Sequence, residues 1–369
     1  MHRPRRILFT QKFSSLGGSQ KSLVHHFELL DRTQFDARLL VSNTGWLTEE
    51  CDRIGIPWDL ETFGHWRIGS LLANWRLARR LRNYIRRHEI DLIHANEHWV
   101  GPHSGWAARL AGIPSVCQFR TGLEDLTPRR IRKYRYRDFD RVLPVADVLC
   151  QALARELPDP SILTVVRDGI EVGIDDSPSW AKRTTRVIAN VGAIYHVKGQ
   201  AKIFEQAIPW LRADSKRFML FIGGARADSE YVAALKQHVR NEGLEKQALF
   251  LGSRPDVPRL LKAADALTAY STVEGVPRVV MEAMSRRRPV IVSNTPGMSE
   301  VVTDGVTGRI VNFDDGSGEF AQALESLTVD RPAWESMGAE ARTQATARYS
   351  VAAMSLQIQQ IYRELLPDE

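Results

Sequence analysis

Three cysteines in 369 residues, Cys51, Cys117 and Cys150, are too few and too scattered for a disulfide framework or a metal spacing. They point to a reducing compartment, and the cytoplasm is the expectation. No run of about 18 apolar residues occurs, which excludes a transmembrane helix on length. The opening segment is basic, but only Ile7, Leu8 and Phe9 are apolar before Thr10 and Gln11. It reads as a first strand rather than a secretory signal. Internal repeats, low-complexity tracts and a convincing Asp-x-Asp metal site are also missing. Acidic residues run short in one half only. Residues 1–168 hold 26 Lys and Arg against 19 Asp and Glu, and the remainder holds 24 against 25. Such asymmetry suggests an anionic partner for the N-terminal half.

What is present is the composition of an ordinary globular protein, 43% hydrophobic and 25% charged, long enough for two domains with full cores. Short apolar strands alternate with helical patterns along the whole chain. Strands are predicted at Arg5–Thr10, Ala37–Ser42, Asp91–Ala95, Ser115–Phe119 and Arg141–Val145. The second half predicts them at Arg186–Val191, Phe218–Ile222, Ala248–Leu251, Ala266–Ala269 and Val290–Ser293. Alternation of this kind implies parallel, doubly wound α/β sheets with ligands at the carboxyl ends of the strands. A turn-rich, non-periodic stretch from Asp168 to Thr185 marks the linker.

The most informative stretch runs from Glu274 to Arg288. Glu274 and Glu282 stand eight positions apart, with Gly275-Val276-Pro277 after the first and an apolar-periodic run leading to the second. Pro277 suits the first turn of a helix, where its missing N–H is no loss. That places Glu274 on the preceding loop and Glu282 about one and a half turns in. Amides from Gly275 to Arg278 at a helix start form an anion site. A carboxylate deeper in the same cleft accepts from sugar hydroxyls. Diphosphate plus polyol describes a nucleotide sugar.

On these residues the chain resembles the retaining GT-B glycosyltransferases of family 4, which carry a Glu-x7-Glu pair. Lys198-Gly199, Phe221-Ile-Gly-Gly224, Phe250-Leu-Gly-Ser253, Ala263-Ala-Asp265, Pro289-Val-Ile and Gly308-Arg-Ile-Val311 extend the likeness in family order. They span nearly all of the second half, and the first half matches more loosely. The resemblance implies two Rossmann-like domains facing an interdomain cleft. Residues 1–170 would bind the acceptor, with a C-terminal helix at about 350–369 packing back onto them. Residues 171–349 would bind the nucleotide sugar.

The resemblance also implies the site. Lys198 neutralises the leaving diphosphate, and Glu282 binds the donor ribose. Glu274 lies near the transferred sugar, so Glu274 and Lys198 are the catalytic candidates. Gly17 and Gly18, at the first strand–helix turn, would let a phosphate approach the backbone. Ser253 and Arg254 occupy the nucleobase loop, and Gly275, Val276, Pro277 and Arg278 complete the donor site. No metal and no cofactor are implied. The donor would be a UDP- or GDP-sugar, and the departing phosphate would help deprotonate the acceptor hydroxyl, with retention. Three positions depart from the family: Ala193 where arginine is common, Arg120 where a histidine is frequent, and Arg287 where glycine is usual. A left-handed Arg287 would cost roughly 1–2 kcal/mol.

Glu97 and His98, after the strand Asp91–Ala95, are acceptor candidates together with Arg120. An arginine there suggests either a negatively charged acceptor or a variant route for stabilising the reacting sugar. A helix from about Leu71 to His88 has Leu71, Trp75, Ala78, Leu81 and Ile85 on one face and arginines elsewhere. A second basic cluster spans Arg129 to Arg137. Such clusters read as solvated faces or as an anionic membrane surface; nucleic acid has no role beside a sugar-nucleotide site. The function that follows is transfer of a sugar to a sugar or lipid-linked glycan acceptor, in cell-surface glycan or glycolipid synthesis. Localisation is cytoplasmic or peripheral on the inner face of the plasma membrane. The alternatives are a silent nucleotide-sugar-binding protein of the same fold, and an epimerase or sugar-phosphate synthase.

Overall fold

The computed structural model describes residues 3–64, 66, 70–120, 126–173, 183–224, 229–272, 276–313 and 318–367. The chain forms two compact units, Met1–Gly169 with Val351–Glu369, and Ile170–Ser350.

Unit 1 holds six parallel strands: β1 Arg5–Gln11, β2 Phe35–Val41, β3 Trp58–Leu60, β4 Leu92–Ala95, β5 Ser115–Phe119 and β6 Arg141–Pro144. Their order is β3-β2-β1-β4-β5-β6. The helices are α1 Gly18–Glu28, α2 Trp46–Ile54, α3 Leu71–Arg87, α4 Gly101–Ala111, α5 Pro128–Tyr134 and α6 Asp147–Ala154. Unit 2 repeats the order with β7 Arg186–Val191, β8 Arg217–Ile222, β9 Ala248–Gly252, β10 Ala266–Ala269, β11 Val290–Ser293 and β12 Gly308–Val311, arranged β12-β11-β10-β7-β8-β9. Its helices are α7 Gln200–Ala213, α8 Ser229–Asn241, α9 Val257–Ala263, α10 Arg278–Ser285, α11 Pro296–Val301, α12 Glu319–Val329 and α13 Arg331–Tyr349; α14, Val351–Leu365, belongs to unit 1. Each sheet reverses its strand order once, between β1 and β4 and between β7 and β10. Ligands of doubly wound sheets bind outside the carboxyl ends at these points.

The central strands are apolar runs buried on both faces: Ile7, Leu8 and Phe9 are sealed, as are Val290, Ile291 and Val292. Continuous burial is what helices on both sides of a parallel sheet require. The opposite, amino ends are fixed by aspartates. Asp91 accepts from Arg6 N at 2.7 Å, Asp140 from Ser115 N at 2.8 Å and Asp265 from Val187 N at 2.6 Å. Each carboxylate extends the ladder by one hydrogen bond beyond the strand's own backbone, on a charge-assisted contact.

Helix α3 corrects one prediction. Leu77, Ala78, Leu81 and Ile85 are buried, but Leu71 and Trp75, assigned to the inward face, are exposed. The packing surface of α4 selects the stripe, and it meets the first turn of α3 through buried Asn74, 3.3 Å from His103 Nε2, rather than through Leu71.

At the far end of α10 the non-glycine cap is real. Arg287 has φ +57, Arg287 N bonds Met284 O at 3.0 Å and Arg288 N bonds Ala283 O at 2.9 Å. These two bonds are those of a Schellman cap, which normally ends in glycine. Arg288 is fully buried next to it and gives Nε and Nη2 to Leu261 O and Lys262 O, at 3.0 and 2.8 Å. The left-handed residue thereby lets a buried guanidinium cap the last carbonyls of α9, an interaction that offsets the backbone cost.

Candidate active site

In unit 2 the carboxyl ends of β7, β8 and β9 are tied together through their loops. Gly192 N bonds Ile222 O at 3.0 Å, Gly223 N bonds Gly252 O at 2.8 Å, and Ile194 N bonds Gly224 O at 3.0 Å. A Cβ on Gly223 would lie 1.8 Å from Gly192 O, so the loops approach more closely than any side chain permits.

Lys198 closes a single 3-10 turn, His196–Lys198, at the start of α7. Gly199 follows it with φ +53, and a Cβ there would meet the Tyr270 ring at 2.1 Å. Tyr270 leaves the end of β10, and Thr272 N bonds Val197 O at 3.1 Å. The lysine is therefore held by strands β7 and β10 together, at the reversal point of the sheet. Lys202 sits 5.3 Å above the same ring, which keeps the tyrosine over Gly199.

Helix α10 begins at Arg278 with Pro277 as its cap, one position before the predicted first turn. Pro277 has no N–H to give, and Arg278 N is taken by Val276 O at 2.9 Å. Glu274 and Gly275 lie outside the described residues. Glu282 sits at the fifth position of α10, between fully buried Met281 and Ala283. Its half-buried carboxylate has no hydrogen bond or ion pair to a described residue. In the loop predicted to meet the nucleobase, Ser253 is exposed. Arg254 is paired with Asp256 through two bonds, 2.8 and 2.9 Å. Asp256 pushes the guanidinium pKa up and is itself held below the usual carboxylate range by Arg254.

In unit 1 the acceptor candidates have internal partners. Arg120 gives Nε to Asp168 Oδ1 at 2.7 Å, and Nη1 to Asn96 O and Oδ1 at 2.6 and 2.8 Å. Asn96 passes the chain on to Gln11 Oε1 at 2.7 Å. Glu97 accepts from Ser19 Oγ at 2.5 Å, so a carboxylate of the chain itself occupies the start of α1 beside Gly17 and Gly18. Gly17 caps α1 in an extended conformation, φ −159. His98 is buried between the rings of Trp99, Phe119 and Tyr134. Burial, then Arg130, pushes its pKa down to about 4. These residues brace the reversal point between β1 and β4. The Arg120–Asp168 pair has no local sign in the sequence, its members being 48 residues apart.

Among the described residues, no group of three or more His, Cys, Asp or Glu is placed to hold a metal. Asp138 and Asp140, spaced as Asp-x-Asp, serve separate structural partners. Asp138 pairs with Arg109 and Arg135, and Asp140 holds Ser115.

The family model for glycosyl transferases group 1 matches residues 175–344, and that for glycosyltransferase family 4 matches residues 16–173. The chain is a family-4 glycosyltransferase. A relative from Escherichia coli, UDP-Gal:alpha-D-GlcNAc-diphosphoundecaprenol alpha-1,3-galactosyltransferase, is 26% identical over 351 residues, covering 89% of each chain. The alpha-D-kanosaminyltransferase of Streptomyces kanamyceticus is 24% identical over 84% of this chain and 86% of its own. Among solved structures, Anabaena HepE in complex with UDP and glucose superposes with a TM-score of 0.80. It has 22% identity, over 98% of this chain and 100% of that one. That structural likeness carries the GT-B fold, and both six-stranded sheets of this glycosyltransferase conform to it.

Proposed function

We propose that this glycosyltransferase is a retaining enzyme that moves a hexosyl group from a nucleotide sugar to an acceptor hydroxyl. The reading rests on Lys198 fixed at the β7/β10 reversal point together with the carboxylate of Glu282 on α10, which has no partner among the described residues. Unit 2 carries the donor. Lys198 and the start of α10 offset the charge of the departing diphosphate, which needs electrostatic stabilisation more than protonation. Glu282 accepts from the ribose hydroxyls, while Glu274 serves the reacting sugar. Val276, Pro277, Arg278 and Ser253 line the donor. Arg254 contributes once its pair with Asp256 opens. Gly17 and Gly18 approach a phosphate only if Ser19 is shared with Glu97. Unit 1 carries the acceptor, with Glu97, His98 and Arg120 shaping that end of the sheet. UDP is the preferred carrier nucleotide, in keeping with the UDP-sugar in the Escherichia coli relative's name. No metal or other cofactor is needed.

Thermal shift and sugar release across UDP-, GDP-, ADP- and TDP-sugars test this. Stabilisation by UDP-sugars with slow release is expected. Glu282→Ala should weaken UDP about tenfold or more, since hydrogen bonds to a charged group are worth roughly 1.5–3 kcal/mol. Failure of all four nucleotides to stabilise the chain would refute the donor site. Ala193, at a position where arginine is common in relatives, favours a second reading, a silent binder, which would show binding without release at any acceptor.

The setting we propose is cell-surface glycan or glycolipid synthesis at the cytoplasmic face of the membrane. No helix among the described residues is long and apolar enough to cross a membrane, but α3 ends in Arg86 and Arg87 and α5 adds Arg132 and Lys133. Binding to phosphatidylglycerol vesicles that is reversed by salt supports peripheral attachment. Equal binding to neutral vesicles counts against it.

A further inference from the structure

We infer that Asp168 is a specificity-determining residue of unit 1: by holding Arg120 it closes the carboxyl end of β5 to anionic groups and leaves that end fit for an uncharged sugar hydroxyl. As part of an acceptor site, this role rests on the transferase reading, and it sets aside a negatively charged acceptor group at Arg120.

A guanidinium has five N–H donors, one on Nε and two on each Nη. In Arg120 the single Nε donor goes to Asp168 Oδ1 at 2.7 Å, and Nη1 gives to Asn96 O and Oδ1 at 2.6 and 2.8 Å. The donors not engaged by these two residues are both on Nη2, and they diverge. Arginine recognises a carboxylate or phosphate through two parallel N–H bonds, from Nε with an Nη or from both Nη groups. Each such fork has lost a prong here. A single N–H is left for any one ligand oxygen, which is what one hydroxyl accepts.

The sheet fixes this clamp. Arg120 follows the last residue of β5, and Asn96 follows the last residue of β4. Asn96 Nδ2 bonds Gln11 Oε1 at the end of β1, and Asn96 N bonds Thr10 O at 3.0 Å. Asp168 comes two residues after Val166, whose N bonds Pro144 O at the end of β6. The Arg120 and Asp168 side chains are only 10% and 8% exposed, and Gln11 and Asn96 are sealed. Turning the guanidinium toward an anion would strand a buried carboxylate, which is costly. An anion approaching the intact pair meets Asp168 as well as Arg120, so little attraction offsets its own desolvation. A neutral hydroxyl carries no such cost.

Ligand-observed NMR titration of the full chain with UDP present would compare methyl glucoside with methyl glucuronide, the same ring with and without a carboxylate. The wild type should bind the glucoside at least about tenfold more tightly. Asp168→Asn keeps the side-chain shape and frees the Arg120 charge. It should move the ratio toward the glucuronide by about tenfold or more, a gain that shrinks as salt is raised. Arg120→Gln combined with Asp168→Asn should restore the wild-type ratio. A purely structural role for Asp168 would weaken both sugars alike and leave their ratio unmoved, and that result overturns the inference. If Asp168→Asn does not fold, the wild type and the double variant decide. Equal ratios favouring the glucoside uphold the role, and a glucuronide preference lost in the double variant overturns it. Failure of both sugars to bind a chain that UDP stabilises also overturns it. The expected ratios in a chain that UDP does not stabilise uphold the role of Asp168 and remove the donor reading instead.

Discussion

Lowering the pH from neutral to about 4 should unfold unit 1 while unit 2 remains folded. Four histidines of unit 1, His26, His94, His98 and His103, are almost completely buried. Burial is the main cause in each case, and it pushes His26 to about 3 and His98 and His103 to about 4. His94 is held well below the ordinary imidazole range by burial and then by His26 and Arg120. Their folded pKa values are depressed, so below pH 6.5 the unfolded chain takes up protons that the folded unit refuses. Stability is complete above that pH and is lost as the pH falls toward the folded values. Each group contributes a slope of about 1.4 kcal/mol per pH unit in that window, and four together a slope of about 5 kcal/mol per pH unit. A domain holds only about 5–15 kcal/mol in all.

Two of these histidines join α14 to the rest of unit 1. His94 Nδ1 lies 2.5 Å from Tyr362 Oη and His26 Nδ1 lies 2.9 Å from Ser355 Oγ. The C-terminal helix should therefore detach as the unit opens. In unit 2 neither His196 nor His238 is buried. There Asp265 has a pKa raised chiefly by burial, and a raised carboxylate gains from acid rather than losing by it. Hydrogen exchange resolved by segment between pH 7 and 4 gives the order of opening. His103→Asn should flatten the slope by about one proton. Simultaneous opening of both units, or earlier opening of unit 2, would show that these imidazoles are not held neutral by the fold.

The sheets were readable in the sequence because strands buried on both faces leave uninterrupted apolar runs, as at Ile7–Phe9 and Val290–Val292. Strand β3 was not, for the same reason reversed: Trp58-Asp59-Leu60 is three residues long, at an edge, with Asp59 and Leu60 exposed. The motif Gly308–Val311 is visible in the sequence, but its half-buried Arg309 and Ile310 give the edge strand β12 no apolar run. The periodicity predicts helix α3 to within a residue but turns the wrong side of its first turn inward. The wheel offers two apolar stripes there, and only the neighbouring α4 chooses between them. At the site, Lys198-Gly199 was visible as a motif, whereas the Tyr270 ring that requires the glycine stands 71 positions away. The Arg120–Asp168 pair likewise has no local signature. Arg120 could be noticed only as a departure from a family pattern, and the pattern carried no hint of the carboxylate that holds it.

Gly223→Ala should lower the stability of unit 2 by about 3 kcal/mol or more and abolish the UDP-induced shift. The added methyl would fall 1.8 Å from Gly192 O and 2.7 Å from Gly192 C. Both are backbone atoms, so no rotamer can relieve the overlap. Nor can the loops move apart freely, since Gly192 N–Ile222 O on one side and Gly223 N–Gly252 O on the other fix the same three strands. For a unit of this size 3 kcal/mol corresponds to a fall in Tm of about 6–12 °C. The next residue supplies the control. Among the described residues, a Cβ on Gly224 would meet nothing nearer than Ser253 Cβ at 3.8 Å, an ordinary contact, so Gly224→Ala should cost under about 1 kcal/mol and leave UDP binding intact. If the two variants melt together, the close approach of the β7 and β8 loops is not a constraint on the fold. If Gly223→Ala alone falls and takes the UDP response with it, the crossing of these loops is what shapes the donor side of the sheet.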